Sequence, residues 1–157
     1  MLVAYILPVC ALLAPCDPGA SPPEYVTVIL KGSTKAVTRI IVLGSQGFFG
    51  AAAVDLLRRE GERPVAGSRR PGSDLLIDAE NPSSLRAALR DRDVVIDAAA
   101  PFQRRSTVLV ETALAIGCDV IDISDSLEYA LKVQRLAHRI DGTGTRVLTS
   151  CSSVCAV

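Results

Sequence analysis

The chain has 157 residues, of which 49% are apolar and 22% charged, with Lys plus Arg and Asp plus Glu equal at 17 each. That length fits one domain, and the apolar content is enough for a buried core and excludes a wholly disordered chain. A formal net charge of zero gives no general field to recruit nucleic acid or an anionic membrane, and a 4% aromatic content without Trp supplies no stacking platform for single strands.

Residues 1–36 read as an N-terminal extension that is poorly ordered or weakly signal-like. Leu2 to Ala14 is apolar, then Pro15-Cys16-Asp17-Pro18-Gly19 and Ser21-Pro22-Pro23 follow. No Lys or Arg precedes the apolar run, so the positive region of a signal peptide is missing. The run is shorter than the ~20 residues that span a bilayer, and Pro8 interrupts it. Leu13-Ala14-Pro15-Cys16 is faintly like a lipoprotein cleavage box, with Pro15 badly placed beside the cut. The expectation is therefore a cytoplasmic protein without membrane contact. Tyr25 to Lys31 alternates β-branched residues and suits an extra edge strand.

Residues 37–157 read as one α/β domain. Arg39 to Leu43 is a short apolar run ending at a glycine, the pattern of a buried parallel strand. A helix is predicted over Phe48 to Glu60, stopped by Gly61. Strands follow at Arg63 to Ser68 and Asp74 to Asp78. Asn81-Pro82 supplies an N-cap and first-turn proline for a helix to Arg90. Asp93 to Ala98 is the fourth strand, Ser106 to Ile116 a helix ending at Gly117, and Asp119 to Ser124 the fifth strand. Asp125-Ser-Leu-Glu128 has the form of a capping box for a helix to Arg139. After the loop Asp141-Gly-Thr-Gly144, Arg146 to Ser150 is a sixth strand. About six strands alternating with helices imply a doubly wound parallel sheet, and right-handed crossovers favour the Rossmann-type order 3-2-1-4-5-6.

Three segments carry chemistry. Gly44-Ser-Gln-Gly47-Phe-Phe-Gly50 leaves a strand and opens a helix, as a dinucleotide turn requires. Gly44 lets the chain turn sharply, Gly47 lets a pyrophosphate approach the backbone, and Gly50 lets the helix pack closely. The helix N-terminus would meet the phosphates with unpaired N–H groups and a positive dipole end. The second segment is the end of strand two. A site for NAD places an acid there, roughly 20 residues after the first glycine, to hold the ribose 2′-hydroxyl. Here Ser68, Arg69 and Arg70 stand instead, a hydroxyl and two guanidinium groups suited to a 2′-phosphate, which favours NADP. Asp78, ending strand three, suits either the adenine edge or a turn. The third segment is Asp97-Ala-Ala-Ala-Pro101-Phe102, whose small residues leave room for the diphosphate and nicotinamide ribose at the strand-four exit.

Together IIVLGSQGFFG, VAGSRR, DVVIDAAAPFQR, GCDVIDISD and the terminal VLTSCSSV resemble the NADP-binding domain of the saccharopine dehydrogenase family, from Thr38 to the C-terminus. The resemblance implies that Gly44, Gln46, Gly47, Phe48 and Phe49 line the diphosphate turn. It implies that Ser68, Arg69 and Arg70 take the adenosine phosphate, and that Ala99, Ala100, Pro101 and Phe102 border the nicotinamide side. Asp122 and Asp125 would lie near the cofactor or a domain junction. Ala100 stands where the family usually has glycine, and Cys155 where proline often follows Ser-Ser-Val. In the family a substrate domain follows this point, so the expected partners are a dinucleotide and either a C-terminal substrate domain or a second copy.

No catalytic acid or base stands out. His138, the sole histidine, falls on a predicted surface helix, and with Cys151 and Cys155 it does not complete the four ligands a structural metal site needs. The five cysteines are odd in number and irregularly spaced, as expected of reduced, small apolar residues. The sequence suits the cofactor half of a hydride-transfer oxidoreductase. It also suits a non-catalytic NADP(H) sensor related to atypical short-chain dehydrogenases, whose glycine turn has the same spacing. An active short-chain enzyme would need Tyr and Lys four apart, whereas Tyr129 and Lys132 are three apart. A truncated product with an apolar surface at Val154 to Val157 is the remaining alternative.

Overall fold

Parallel strands that carry apolar side chains on both faces need a helical layer above and below them. The computed structural model has that arrangement and describes residues 39–151. The elements run in the order β1 (Ile40–Leu43), α1 (Phe48–Arg59), β2 (Val65–Ser68), β3 (Leu75–Leu76), α2 (Pro82–Ala88), β4 (Val94–Asp97), a 3-10 turn (Phe102–Arg104), α3 (Val108–Ile116), β5 (Asp119–Asp122), α4 (Leu127–Gln134), α5 (Ala137–Asp141) and β6 (Val147–Leu148). The extension over 1–36, the expected strand at Tyr25 to Lys31 and the apolar segment at Val154 to Val157 lie outside the described residues.

Among the described residues all strand pairings are parallel and the order is β3-β2-β1-β4-β5-β6, as the alternation of elements predicts. Successive residues of β1 separate the two faces. Ile41 and Leu43 join Val95 and Val120 beneath Leu85 and Ala88 of α2 and Leu109 and Ala113 of α3. Ile40 and Val42 join Ile96 on the opposite face against Ala53, Val54 and Leu57 of α1. A third cluster places Phe102, Val110, Leu114, Tyr129 and Val133 together, with the Phe102 and Tyr129 ring centroids 5.5 Å apart. Cys118, whose thiol donates to the Arg90 carbonyl, is buried at the foot of the first cluster and unbridged.

Several boundaries differ from the sequence reading. β4 and β5 end at Asp97 and Asp122 because each aspartate bends the chain over its own carboxylate. Asp97 Oδ1 accepts from Ala99 N, and Asp122 Oδ1 accepts from Ser124 N, each at 3.0 Å. Asn81 caps α2 as predicted, accepting from the Ser83 and Ser84 amides, but the helix stops at Ala88. Leu89 is extended there, and the Arg90 amide turns to Asp93 Oδ2 at 2.8 Å. The cap of α4 is Ser126, not Asp125; its hydroxyl accepts from Tyr129 N, while Glu128 pairs with Lys132. The single helix expected to reach Arg139 is two, because the chain tightens where the Leu136 amide donates to the Val133 carbonyl.

Candidate functional site

In a doubly wound sheet the crevice opens where consecutive crossovers part to opposite sides, here between β1 and β4. A cavity of about 560 Å³ lies there, against the carboxyl ends of the strands. Gly44 and Gly47 line it after β1, Ser68 to Arg70 after β2, Ile77 to Glu80 after β3, and Ala98 to Pro101 after β4.

The turn after β1 is built from backbone. Gly44 has φ +73°, and a Cβ there would sit 2.6 Å from the Ala98 carbonyl oxygen. The Gly47 amide returns to the Gly44 carbonyl at 2.8 Å, and Ser45 N reaches across to Gly67 O on β2. At Gly50 a Cβ would strike the Gly44 carbonyl, so this glycine admits the turn itself rather than the sheet. Gly47, the residue before α1, has an ordinary φ of −87° and is exposed. No side chain caps α1, and no acid sits in its first turn. Phe48 and Phe49 stand edge to face at 5.2 Å on the cavity wall, and Phe48 is 81% exposed. Gln46 Nε2 donates to the Pro71 carbonyl at 2.9 Å, linking this turn to the loop after β2.

On that loop, the buried Ser68 hydroxyl accepts from the Arg70 amide at 3.1 Å. Arg69 and Arg70 are exposed, line the cavity, and form no ion pair among the described residues. Asp78 also lines the cavity, and its Oδ1 accepts from Glu80 N at 3.0 Å, so the turn and wall positions coincide. Ala99, Ala100 and Pro101 border the far side.

Phe102 does not take the place expected of it. The 3-10 turn carries its ring into the third core cluster, 4% exposed and against Tyr129, rather than into the cavity. Asp122 and Asp125 are not in the cavity lining either. Asp122 is fully buried, with Oδ1 accepting from Ser124 and Ser150 amides, and Asp125 accepts from Gln103 Nε2. Tyr129 is fully buried, and burial pushes its phenol well above the usual tyrosine range. His138 is exposed on α5.

Arg105 and Glu80 were not visible as site residues in the sequence. Arg105 is 6% exposed, yet it lines the cavity. Its Nη2 meets Asp97 Oδ2 at 2.5 Å, and Nη1 donates to the Ala99 carbonyl at 2.8 Å. Its Nε lies 2.7 Å from Glu80 Oε1 as an ion pair, without the alignment of a hydrogen bond. Glu80 in turn accepts from the Ser106 hydroxyl at 2.7 Å and from the Ser106 amide. Complete burial pushes the Asp97 carboxyl up to about 6, with Arg105 and the Ala99 amide pulling the other way.

The sheet order and the glycine turn at its switch point define a dinucleotide-binding α/β domain. The chain belongs to the saccharopine dehydrogenase NADP-binding domain family, whose model matches residues 40–146. Over 78 residues it is 27% identical to a probable mitochondrial saccharopine dehydrogenase-like oxidoreductase from Arabidopsis thaliana, a match covering 49% of this chain and 17% of that relative. Among solved structures it is similar to a UDP-N-acetylglucosamine 4-epimerase from Bacillus cereus, at 20% identity and a TM-score of 0.48, over 71% of this chain and 58% of that one. It is also similar to a short-chain dehydrogenase/reductase superfamily protein from Agrobacterium tumefaciens with bound NAD, at 23% identity and a TM-score of 0.45, over 54% of this chain and 32% of that one. The cofactor of this domain family is NADP.

Proposed function

We propose that the cleft between β1 and β4 is where this domain holds NADP(H), and that the chain is the cofactor half of a hydride-transfer oxidoreductase. One observation carries the reading: a helix N-terminus without a side-chain cap and two arginines that form no ion pair among the described residues line the same cavity, on either side of the Gln46–Pro71 bond. The first suits a diphosphate, because backbone N–H groups and the helix dipole favour negative charge. The second suits a 2′-phosphate, because a guanidinium fork donates two parallel hydrogen bonds. In this reading Gly44, Gln46, Gly47, Phe48 and Phe49, with Gly50 behind them, form the diphosphate turn. Ser68, Arg69 and Arg70 hold the 2′-phosphate, Asp78 borders the adenosine, and Ala99, Ala100 and Pro101 border the nicotinamide.

Hydride transfer needs donor and acceptor carbons held about 3–3.5 Å apart. The described residues wall the cofactor side of such a site, so the acceptor would be supplied against the β4 exit by a substrate domain or a second copy. Bound NADPH supplies the hydride; the residues of this chain bind and orient it. The Cys118 thiol, buried and donating to the Arg90 carbonyl, suits a reducing compartment such as the cytoplasm.

Calorimetric titration with NADPH and NADH tests the assignment. NADPH is expected to bind tighter, and replacing both Arg69 and Arg70 by Ala is expected to weaken NADPH by about 10- to 100-fold while leaving NADH and the melting temperature unchanged. Equal affinity for the two nucleotides in the unsubstituted chain contradicts it.

A further inference from the structure

The two walls of the cleft come from different crossovers. The adenosine wall follows β2 and β3, and the other follows β4. In an open sheet nothing in the strand pairing beyond β1 holds the loops after β3 and β4 at a set distance, because those strands are not neighbours. Arg105 spans the gap. It grips the β4 exit twice, at Asp97 Oδ2 and at the Ala99 carbonyl, and it pairs with Glu80 on the loop after β3. Glu80 extends the link by accepting from both the amide and hydroxyl of Ser106. The guanidinium also lies 5.6 Å from the Phe102 ring centroid, so the ring that left the cavity supports the arginine from the core side.

We infer that Arg105, with Glu80, is a positioning residue for the nicotinamide half of the cofactor site: the Glu80–Arg105–Asp97 bridge fixes the Ala98 to Pro101 loop relative to the adenosine wall. This rests on the cleft being the NADP(H) site. A planar fork is needed because its three partners lie in different directions and one is a backbone carbonyl. A lysine would keep the charge but could not serve all three. The adenosine end is held separately. Ser68 organises its own loop through the Arg70 amide, and Asp74 Oδ2 accepts from the Ala66 amide at the start of β2.

The test compares two ligands on two variants of the whole chain. NADPH fills both halves of the cleft, and adenosine 2′,5′-bisphosphate fills only the adenosine half. Arg105→Lys is expected to weaken NADPH about 10-fold, and Glu80→Gln about 3-fold, each leaving the bisphosphate within about two-fold of the unsubstituted chain. Glu80 is partly exposed, so Glu80→Gln carries the test if Arg105→Lys does not fold. Unchanged NADPH affinity in the folded variants overturns the inference, as does an equal loss for both ligands, which would mark the bridge as general scaffolding. If the unsubstituted chain binds neither ligand, the assignment of the cleft itself fails and the inference with it.

Discussion

The two edges of the sheet set aspartates against arginines in the same way and to different ends. At the amino edge, Arg39 before β1 meets Asp93 before β4 through Nε at 3.1 Å and Nη2 at 2.6 Å, and also donates to the Ala88 carbonyl. Arg146 closes on Asp119 likewise, joining the feet of β5 and β6. These pairs tie neighbouring strands to each other and line no cleft residues. At the carboxyl edge, Asp97 meets an arginine from its own exit loop, and that arginine reaches past the strand to Glu80 across the cavity. The same ion pair that closes one edge therefore shapes an opening at the other. What separates Arg39 from Arg105 is where the remaining donors go: to the Ala88 carbonyl at the end of α2 for the first, and to the Ala99 carbonyl and Glu80 beside the cavity for the second.

The division can be broken by substitution at the amino edge. Asp93 is fully buried and Arg39 is its principal partner, so Arg39→Met leaves a buried carboxylate short of its counter-ion. A loss of ~3 kcal/mol in unfolding free energy is expected from urea titration, with NADPH affinity held within about two-fold. A loss of NADPH affinity as large as that of Arg105→Lys would mean that the two edges are not separate.

The carboxyl edge is sharpened by pH. Burial raises the Asp97 carboxyl from 3.8 to about 6, so in this range the folded state holds a proton that the unfolded chain releases. The stability from Asp97 is therefore fully present below about pH 4 and is lost as pH rises through about 6, with a slope of up to ~1.4 kcal/mol per pH unit. Asp97→Asn removes the titrating group. The stability of the unsubstituted chain relative to Asp97→Asn is expected to fall between pH 4 and 6.5 in urea titrations at stepped pH. A difference that stays flat would show that Asp97 keeps an ordinary carboxyl in the fold.

Much of this arrangement is legible in the sequence because it is local. Apolar runs ending at Gly44 and Asp97, and helices stopped at Gly61 and Gly117, fix the alternation of elements, and alternation with right-handed crossovers fixes the strand order. The glycine turn is legible for the same reason, since its three glycines answer to backbone contacts within a few residues of each other or at the adjoining β4 exit. What the sequence does not reveal depends on distant partners. Nothing in the sequence marks Arg105 as a site residue, and only the fold brings Glu80 and Asp97 to it while leaving Arg104 exposed. Phe102 follows Pro101 and so suggests the cleft, but the turn it begins rotates it toward Tyr129 on α4, more than twenty residues away in the chain. The cap of α4 shows the limit within a single motif. Asp125 and Ser126 are both good N-cap residue types; the helix takes Ser126, while Asp125 accepts from Gln103.

The smallest expected change in stability gives the most direct test of the phosphate turn. Gly47 differs from Gly44 and Gly50 in having an ordinary φ and an exposed position, and a Cβ there would lie 3.2 Å from the Gly44 carbonyl oxygen, a tight but adjustable contact. Gly47→Ala should therefore cost less than ~1 kcal/mol of fold stability while placing a methyl group where the diphosphate would approach the backbone. The measurement is calorimetric titration of folded Gly47→Ala with NADPH beside the unsubstituted chain. A loss of about 10-fold or more in affinity, with the melting temperature nearly unchanged, is the predicted result. Undiminished NADPH binding by a folded Gly47→Ala chain would contradict the placement of the cofactor over this turn.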